Sequence, residues 1–111
     1  MSFVRVCTVS DVPPQGALSV VVDGAPIAIV RVADGSVFAI SDVCSHADVA
    51  LSEGEIDGCS VECWLHGSRF DLRTGEPSGP PAVRSVPVYA VKLEGDGDAA
   101  DVLVDTTQPL N

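Results

Sequence analysis

Two short signatures constrain this chain more than anything else in it: Cys44-Ser45-His46 and, sixteen residues later, Cys63-Trp64-Leu65-His66. Each offers one thiolate and one imidazole, so a fold that uses both must bring two loops distant in sequence to one point. Two cysteines with two histidines suit two kinds of centre. One is a [2Fe–2S] cluster with both thiolates on one iron and both imidazoles on the other; the other is a tetrahedral zinc ion. Ordinary zinc sites pair cysteine with cysteine and histidine with histidine in each short motif. Here each motif mixes the two types, as two different irons would require, and a structural zinc-binding module is the remote alternative. Nucleophilic Cys–His catalysis fits less well, because it leaves one complete pair without a purpose.

The rest of the chain reads as short strands. Turn punctuation recurs at Pro13-Pro14-Gln15-Gly16, Asp23-Gly24, Asp34-Gly35, Asp57-Gly58, Thr74-Gly75 and Gly95-Asp96-Gly97. Between these turns lie β-like runs at 3–9, 17–22, 26–32, 36–41, 60–63, 69–72, 85–93 and 101–105, a spacing that predicts an all-β sandwich or barrel. Asp-Gly dipeptides are the kind that close tight hairpins. Asp96 and Asp98 lack the further carboxylates of a calcium loop and belong to a turn. Any helix should be a short turn, near Asp11 or over 49–53. With 111 residues, 46% hydrophobic (mostly Val, Ala, Leu and Ile) and only 5% aromatic, the chain makes a single domain, 1–111, with a modest core whose β-branched residues suit pleated surfaces.

Sixteen acidic against six basic residues give a formal charge of −10, which excludes nucleic acid as a partner. The charges are unevenly placed. Asp48, Glu53, Glu55, Asp57 and Glu62 lie between the signatures with no cation among them, while Arg69, Arg73 and Arg84 follow the second. Either a solvated acidic surface or a field that steers the protein to a basic docking face fits this pattern. No apolar run approaches the ~20 residues of a membrane span, and the amino terminus does not read as a secretory signal, so a cytoplasmic protein without a membrane partner is expected. In a reducing compartment disulfides are not expected. Cys44 and Cys63 have histidine companions; Cys7 reads as a small buried hydrophobe in an alternating strand, and Cys59 as a turn residue without an assigned role.

These signatures, followed by Gly67-Ser68, resemble those of the Rieske ferredoxins, and the flanking runs extend the resemblance over nearly the whole chain. Phe38 to Asp42 leads into the first signature, Leu51 to Glu55 fills the connection, Phe70 to Gly75 follows the second, and Pro80-Pro81-Ala82 is similar to the family's cluster-covering proline loop. The resemblance implies a Rieske fold: an antiparallel β-sandwich base with a small inserted cluster-binding subdomain over about 42–82. It implies one Rieske-type [2Fe–2S] cluster held by Cys44, His46, Cys63 and His66, with Trp64, Gly67, Ser68 and Pro81 around it. Trp64 and Leu65 would shield the cluster or anchor the loop, Gly67 would let the backbone pass close to it, and Pro81 would stiffen the cover.

Two ferric ions, two sulfides and two thiolates cancel in charge, whereas four thiolates leave an anion that resists an added electron. This is why histidine ligation raises the potential from roughly −400 mV into a window of roughly −150 to +300 mV. High-potential members carry an extra disulfide, and hydroxyls from serine and tyrosine on sulfur. Here no such cysteine pair is present, Ser68 matches the serine, and Phe70 stands in place of the tyrosine, so the low end is expected. Exposed imidazole edges on His46 and His66 would pass electrons and, by losing protons from the oxidised state, make the potential fall at high pH. The resemblance further implies a monomeric electron carrier, not an enzyme by itself, between a flavin-dependent ferredoxin reductase and a terminal non-haem iron oxygenase or another electron acceptor. The run Glu62 to Ser68 also resembles ferredoxins encoded among iron–sulfur assembly genes, and the small subunit of assimilatory nitrite reductase is a further reading. The large catalytic subunit of an oxygenase is excluded, since its mononuclear iron needs two more histidines and none remain beyond His46 and His66.

Overall fold

A computed structural model describes residues 3–44, 49–64, 67–78 and 84–111. Among the described residues nine strands form in chain order: β1 (Val4–Thr8), β2 (Gly16–Val22), β3 (Ala25–Arg31), β4 (Val37–Ser41), β5 (Ile56–Asp57), β6 (Ser60–Glu62), β7 (Arg69–Asp71), β8 (Val88–Glu94) and β9 (Asp101–Asp105). The only helical elements among the described residues are single 3-10 turns at Val9–Asp11, Leu51–Glu53 and Gly97–Ala99. The fold is all-β, as expected, and the two turns anticipated from the sequence are both present.

Every strand pair is antiparallel. Six strands follow the order β1-β9-β8-β4-β3-β2, and β5-β6-β7 make a separate small sheet. The link between the halves of the large sheet is β8. Its first two residues pair with β4 (Ala39↔Tyr89, Ile40↔Val88) and its last five with β9, from Ala90↔Asp105 to Glu94↔Asp101. One strand thus belongs to two ladders, which folds the base into two layers. Asp23 and Gly24 close the β2–β3 hairpin with both φ positive, +51° and +81°. That is the turn whose twist matches the flanking strands, and the pairing of an aspartate with a glycine is what permits it.

The alternation of β3 explains how the base carries the small sheet. Ile27 and Ile29 point into one core with Cys7, Val9, Val12, Ala39, Val102 and Val104. Ala28 and Val30 point the other way, into a second core shared with Val61 and Phe70 of the small sheet and with Leu72 just after it. A strand buried on both faces reads as a continuous apolar run, as Ile27-Ala28-Ile29-Val30 does. Cys7 lies with the first core, and its burial pushes the thiol pKa upward, as the reading of a buried hydrophobe requires.

Beyond shifts of one residue at strand ends, three features differ from the sequence reading. β5 is absent from it, because two residues are too few to show alternation; they pair only because Gly58 and Cys59 turn the chain back at Gly58 φ +57°. β8 starts at Val88 rather than 85, since Pro87 has no N–H for the ladder and Val86 instead donates to the Gly75 carbonyl (2.9 Å). The acidic turn after β8 contains a 3-10 turn at Gly97–Ala99.

Candidate metal centre

Both signature loops begin in the same way. The Cys44 N–H donates to the Val49 carbonyl (3.1 Å), beneath the Val43↔Ala50 bridge; the Cys63 N–H donates to the Ser68 carbonyl (2.6 Å), beneath the Glu62↔Arg69 pair. Each is a six-residue loop closed by its first and last residues, with cysteine first. Gly67 turns the second loop at φ +79°, donating to the Cys63 carbonyl (2.8 Å). A left-handed residue is needed there, and glycine supplies it without strain.

Cys44 and Cys63 are 3% and 0% exposed and belong to one apolar cluster with Leu51, Val61, Phe70, Leu72 and Val86. Neither is in a disulfide. Loops that follow β4 and β6 therefore deliver two thiol side chains to one buried region, as the motif spacing demanded. This donor chemistry fits soft, thiolate-binding iron: two cysteines held from two rigid loop bases, inside a shell that excludes water. His46 and His66 lie outside the described residues, as do Leu65 and Pro81. Among the described residues no three His, Cys, Asp or Glu side chains gather around a single ion.

The remaining site residues sort as follows. Ser68 is buried. Trp64 is 52% exposed, so about half of its surface faces outward. Gly67 is exposed, and a Cβ there would meet only the Glu62 carboxylate at 3.5 Å, so its role is conformational rather than one of close approach to another described group. Cys59 is a hairpin residue whose carbonyl accepts from the Leu72 N–H (2.8 Å).

The uneven charge of the sequence is partly reconciled by the fold. Arg69 on β7 stands opposite Glu62 on β6 and reaches both Glu62 (3.8 Å) and Asp57 (3.5 Å). Two of the acidic residues between the signatures are thus locally balanced, leaving Glu53 and Glu55 as the described acids there. These pairs are largely exposed and contribute little stability. Arg73 donates its backbone N–H to Asp71 (2.8 Å), and that bond, with the side chain nearby, holds the Asp71 pKa below its usual value.

Sequence reasoning passes over Asp42, which it treats only as the end of an approach strand. The structure buries it (3% exposed) and directs three donors at its carboxylate, from Ser19 and Ser52. The available signal was a polar pair, Ser41-Asp42, closing an apolar strand directly before a ligand motif.

Residues 2–90 match the family model of the Rieske [2Fe–2S] domain. The chain is 44% identical over 106 residues to the biphenyl dioxygenase ferredoxin subunit of Pseudomonas sp. (strain KKS102), covering 95% of this chain and 93% of that protein. In structure it is similar to the ferredoxin of carbazole 1,9a-dioxygenase from Nocardioides aromaticivorans IC177, with a TM-score of 0.83, 39% identity, and coverage of 94% and 97%. A ferredoxin solved in complex with the reduced oxygenase of carbazole 1,9a-dioxygenase gives a TM-score of 0.84 at 34% identity, covering 98% and 97%.

Proposed function

Because the chain belongs to the Rieske [2Fe–2S] family, we propose that it is the ferredoxin component of a ring-hydroxylating oxygenase system. In this reading it carries single electrons from a flavin-dependent reductase to a terminal non-haem iron oxygenase. The observation that carries it is the likeness to dioxygenase ferredoxins along almost the full length of both partners, joined to two buried thiols on matching loops. The cofactor is one Rieske-type cluster, which takes up and releases one electron at a time. Cys44 and Cys63 hold one iron as thiolates, and His46 and His66 hold the other as neutral imidazoles. Residues 42–82 form the cluster-binding subdomain, and β5-β6-β7 is its sheet.

The chain's own residues set the properties of the carrier. Leu51, Val61, Phe70 and Val86 exclude water from the thiolates. Phe70, fully buried, brings no hydroxyl to the sulfurs, which supports a potential at the low end of the Rieske window. Trp64, placed outward beside Cys63, offers a partner an apolar contact of the kind that anchors small, transient interfaces. No helix among the described residues is long and apolar enough to cross a membrane. A cytoplasmic monomer that meets its partners by diffusion fits this task.

Rapid-mixing kinetics test the reading. A purified flavin reductase with NADH should reduce the protein, and a terminal ring-hydroxylating oxygenase should reoxidise it fast enough to sustain turnover. Failure to exchange electrons with any such oxygenase, alongside ready transfer to a nitrite reductase or to assembly proteins, would overturn it.

A further inference from the structure

Asp42 follows the last residue of β4 and stands two residues before Cys44. Every polar atom of this buried residue is engaged. Its carboxylate accepts from the Ser19 hydroxyl (2.6 Å), the Ser52 N–H (2.7 Å) and the Ser52 hydroxyl (3.0 Å). Its backbone N–H donates to the Pro26 carbonyl (3.0 Å), and its carbonyl accepts from the Leu51 N–H (2.7 Å). One residue therefore ties β2, β3 and the 3-10 turn Leu51–Glu53 together at the base of the Cys44 loop. Leu51, held by that backbone bond, packs in the same cluster as Cys44 and Cys63.

The donors around the carboxylate are all neutral, and among the described residues no arginine or lysine forms an ion pair with it. Three hydrogen-bond donors are what a buried carboxylate charge needs in place of water. Neutral dipoles stabilise such a charge without cancelling it, so its field persists through the poorly polarisable interior. A net negative charge next to the metal centre opposes the arrival of an electron.

We infer that Asp42 is a positioning residue that also depresses the midpoint potential of the cluster: its buried carboxylate pins the Cys44 loop to the base and contributes an uncancelled negative charge there. The inference rests on the assignment of the cluster to Cys44, His46, Cys63 and His66. Two residues of extended chain span about 7 Å. A unit charge acting over roughly 10 Å through an effective dielectric constant of about 20 changes a one-electron equilibrium about tenfold. For a one-electron couple that factor is about 59 mV.

Redox titration of the holoprotein, followed by its reduced-state paramagnetic signal, tests this. Asp42→Asn, which keeps the shape and loses the charge, should raise the midpoint by about that tenfold factor. Asp42→Glu, which restores the charge, should bring the midpoint back towards the wild-type value. Glu94→Gln, which removes an exposed acid at the far end of β8, should leave it in place. If Asp42→Asn yields no holoprotein, Asp42→Ser serves instead: it also removes the charge and should raise the midpoint. An Asp42→Asn protein that is less heat-stable but has an unmoved midpoint overturns the inference alone, and so does Asp42→Ser with an unmoved or lowered midpoint. A wild-type protein with no cluster signal overturns the ligand assignment and the inference with it.

Discussion

Gly54→Ala should be among the most damaging single-methyl additions this protein can receive, and the reason is steric. Gly54 follows the 3-10 turn with φ −84° and ψ 172°, an extended conformation open to any residue, so the backbone itself accepts alanine. A Cβ there would overlap the Glu62 carbonyl oxygen, lie 2.9 Å from the Glu62 carbonyl carbon and 3.3 Å from the Leu51 carbonyl oxygen. All three are backbone atoms, and both chains are pinned. The Gly54 N–H donates to Leu51 (3.0 Å) and the Glu62 N–H to Glu55 (2.9 Å). No flexible side chain can yield, so the turn must move away from β6, immediately before Cys63. Overpacking costs typically about 1–3 kcal/mol, and backbone on both sides puts this case at about 3 kcal/mol. At roughly 4 °C or more per kcal/mol for a domain of this size, the melting temperature should fall by about 12 °C or more. Gly35→Ala is the control. It meets nothing within 4 Å but has φ +92°, so it carries only the left-handed cost of about 1–2 kcal/mol. Thermal unfolding of both holoproteins by circular dichroism reads the difference. The reasoning fails if Gly54→Ala melts within about 4 °C of the wild type, or above Gly35→Ala.

Asn111 joins three segments through its side chain, donating to the Thr74 (3.0 Å) and Val86 (2.9 Å) carbonyls and accepting from the Val88 N–H (3.0 Å). Asn111→Ala should cost about 1–3 kcal/mol in urea titration, with an unchanged slope. The Thr8 backbone N–H (3.0 Å) and hydroxyl (3.1 Å) lower the pKa of Asp11, and the Ser36 N–H (2.8 Å) lowers that of Asp34. A depressed carboxylate stabilises the fold above its ordinary value of 3.8, and this contribution is lost as the pH falls below that value towards the folded one. Asp11→Asn with Asp34→Asn should therefore reduce the acid sensitivity of the melting temperature below pH 3.8 while changing its slope near pH 7 little.

What the sequence made legible was local chemistry. Asp23-Gly24 specified its own turn, and the mixed Cys/His signatures specified loops that must converge. Features that arise only when distant segments meet could not be read. Gly54 has no turn signature, because its requirement comes from Glu62 across the fold. Asn111 looks like an ordinary polar residue until Thr74, Val86 and Val88 surround it. The acidic stretch between the signatures seemed a uniform field, yet β6–β7 pairing brings Arg69 onto Glu62 and Asp57. Trp64 illustrates the same limit: how much of its surface the loop leaves outside is set by the fold, not by its neighbours in sequence.

The central claim is an asymmetric diiron cluster on Cys44, Cys63, His46 and His66, and electron paramagnetic resonance of the dithionite-reduced, iron- and sulfide-loaded protein decides it. A rhombic reduced-state resonance accounting for about one spin per chain, lost on Cys44→Ser or His66→Ala, is the expected result. A colourless, silent protein that retains one zinc per chain would contradict it.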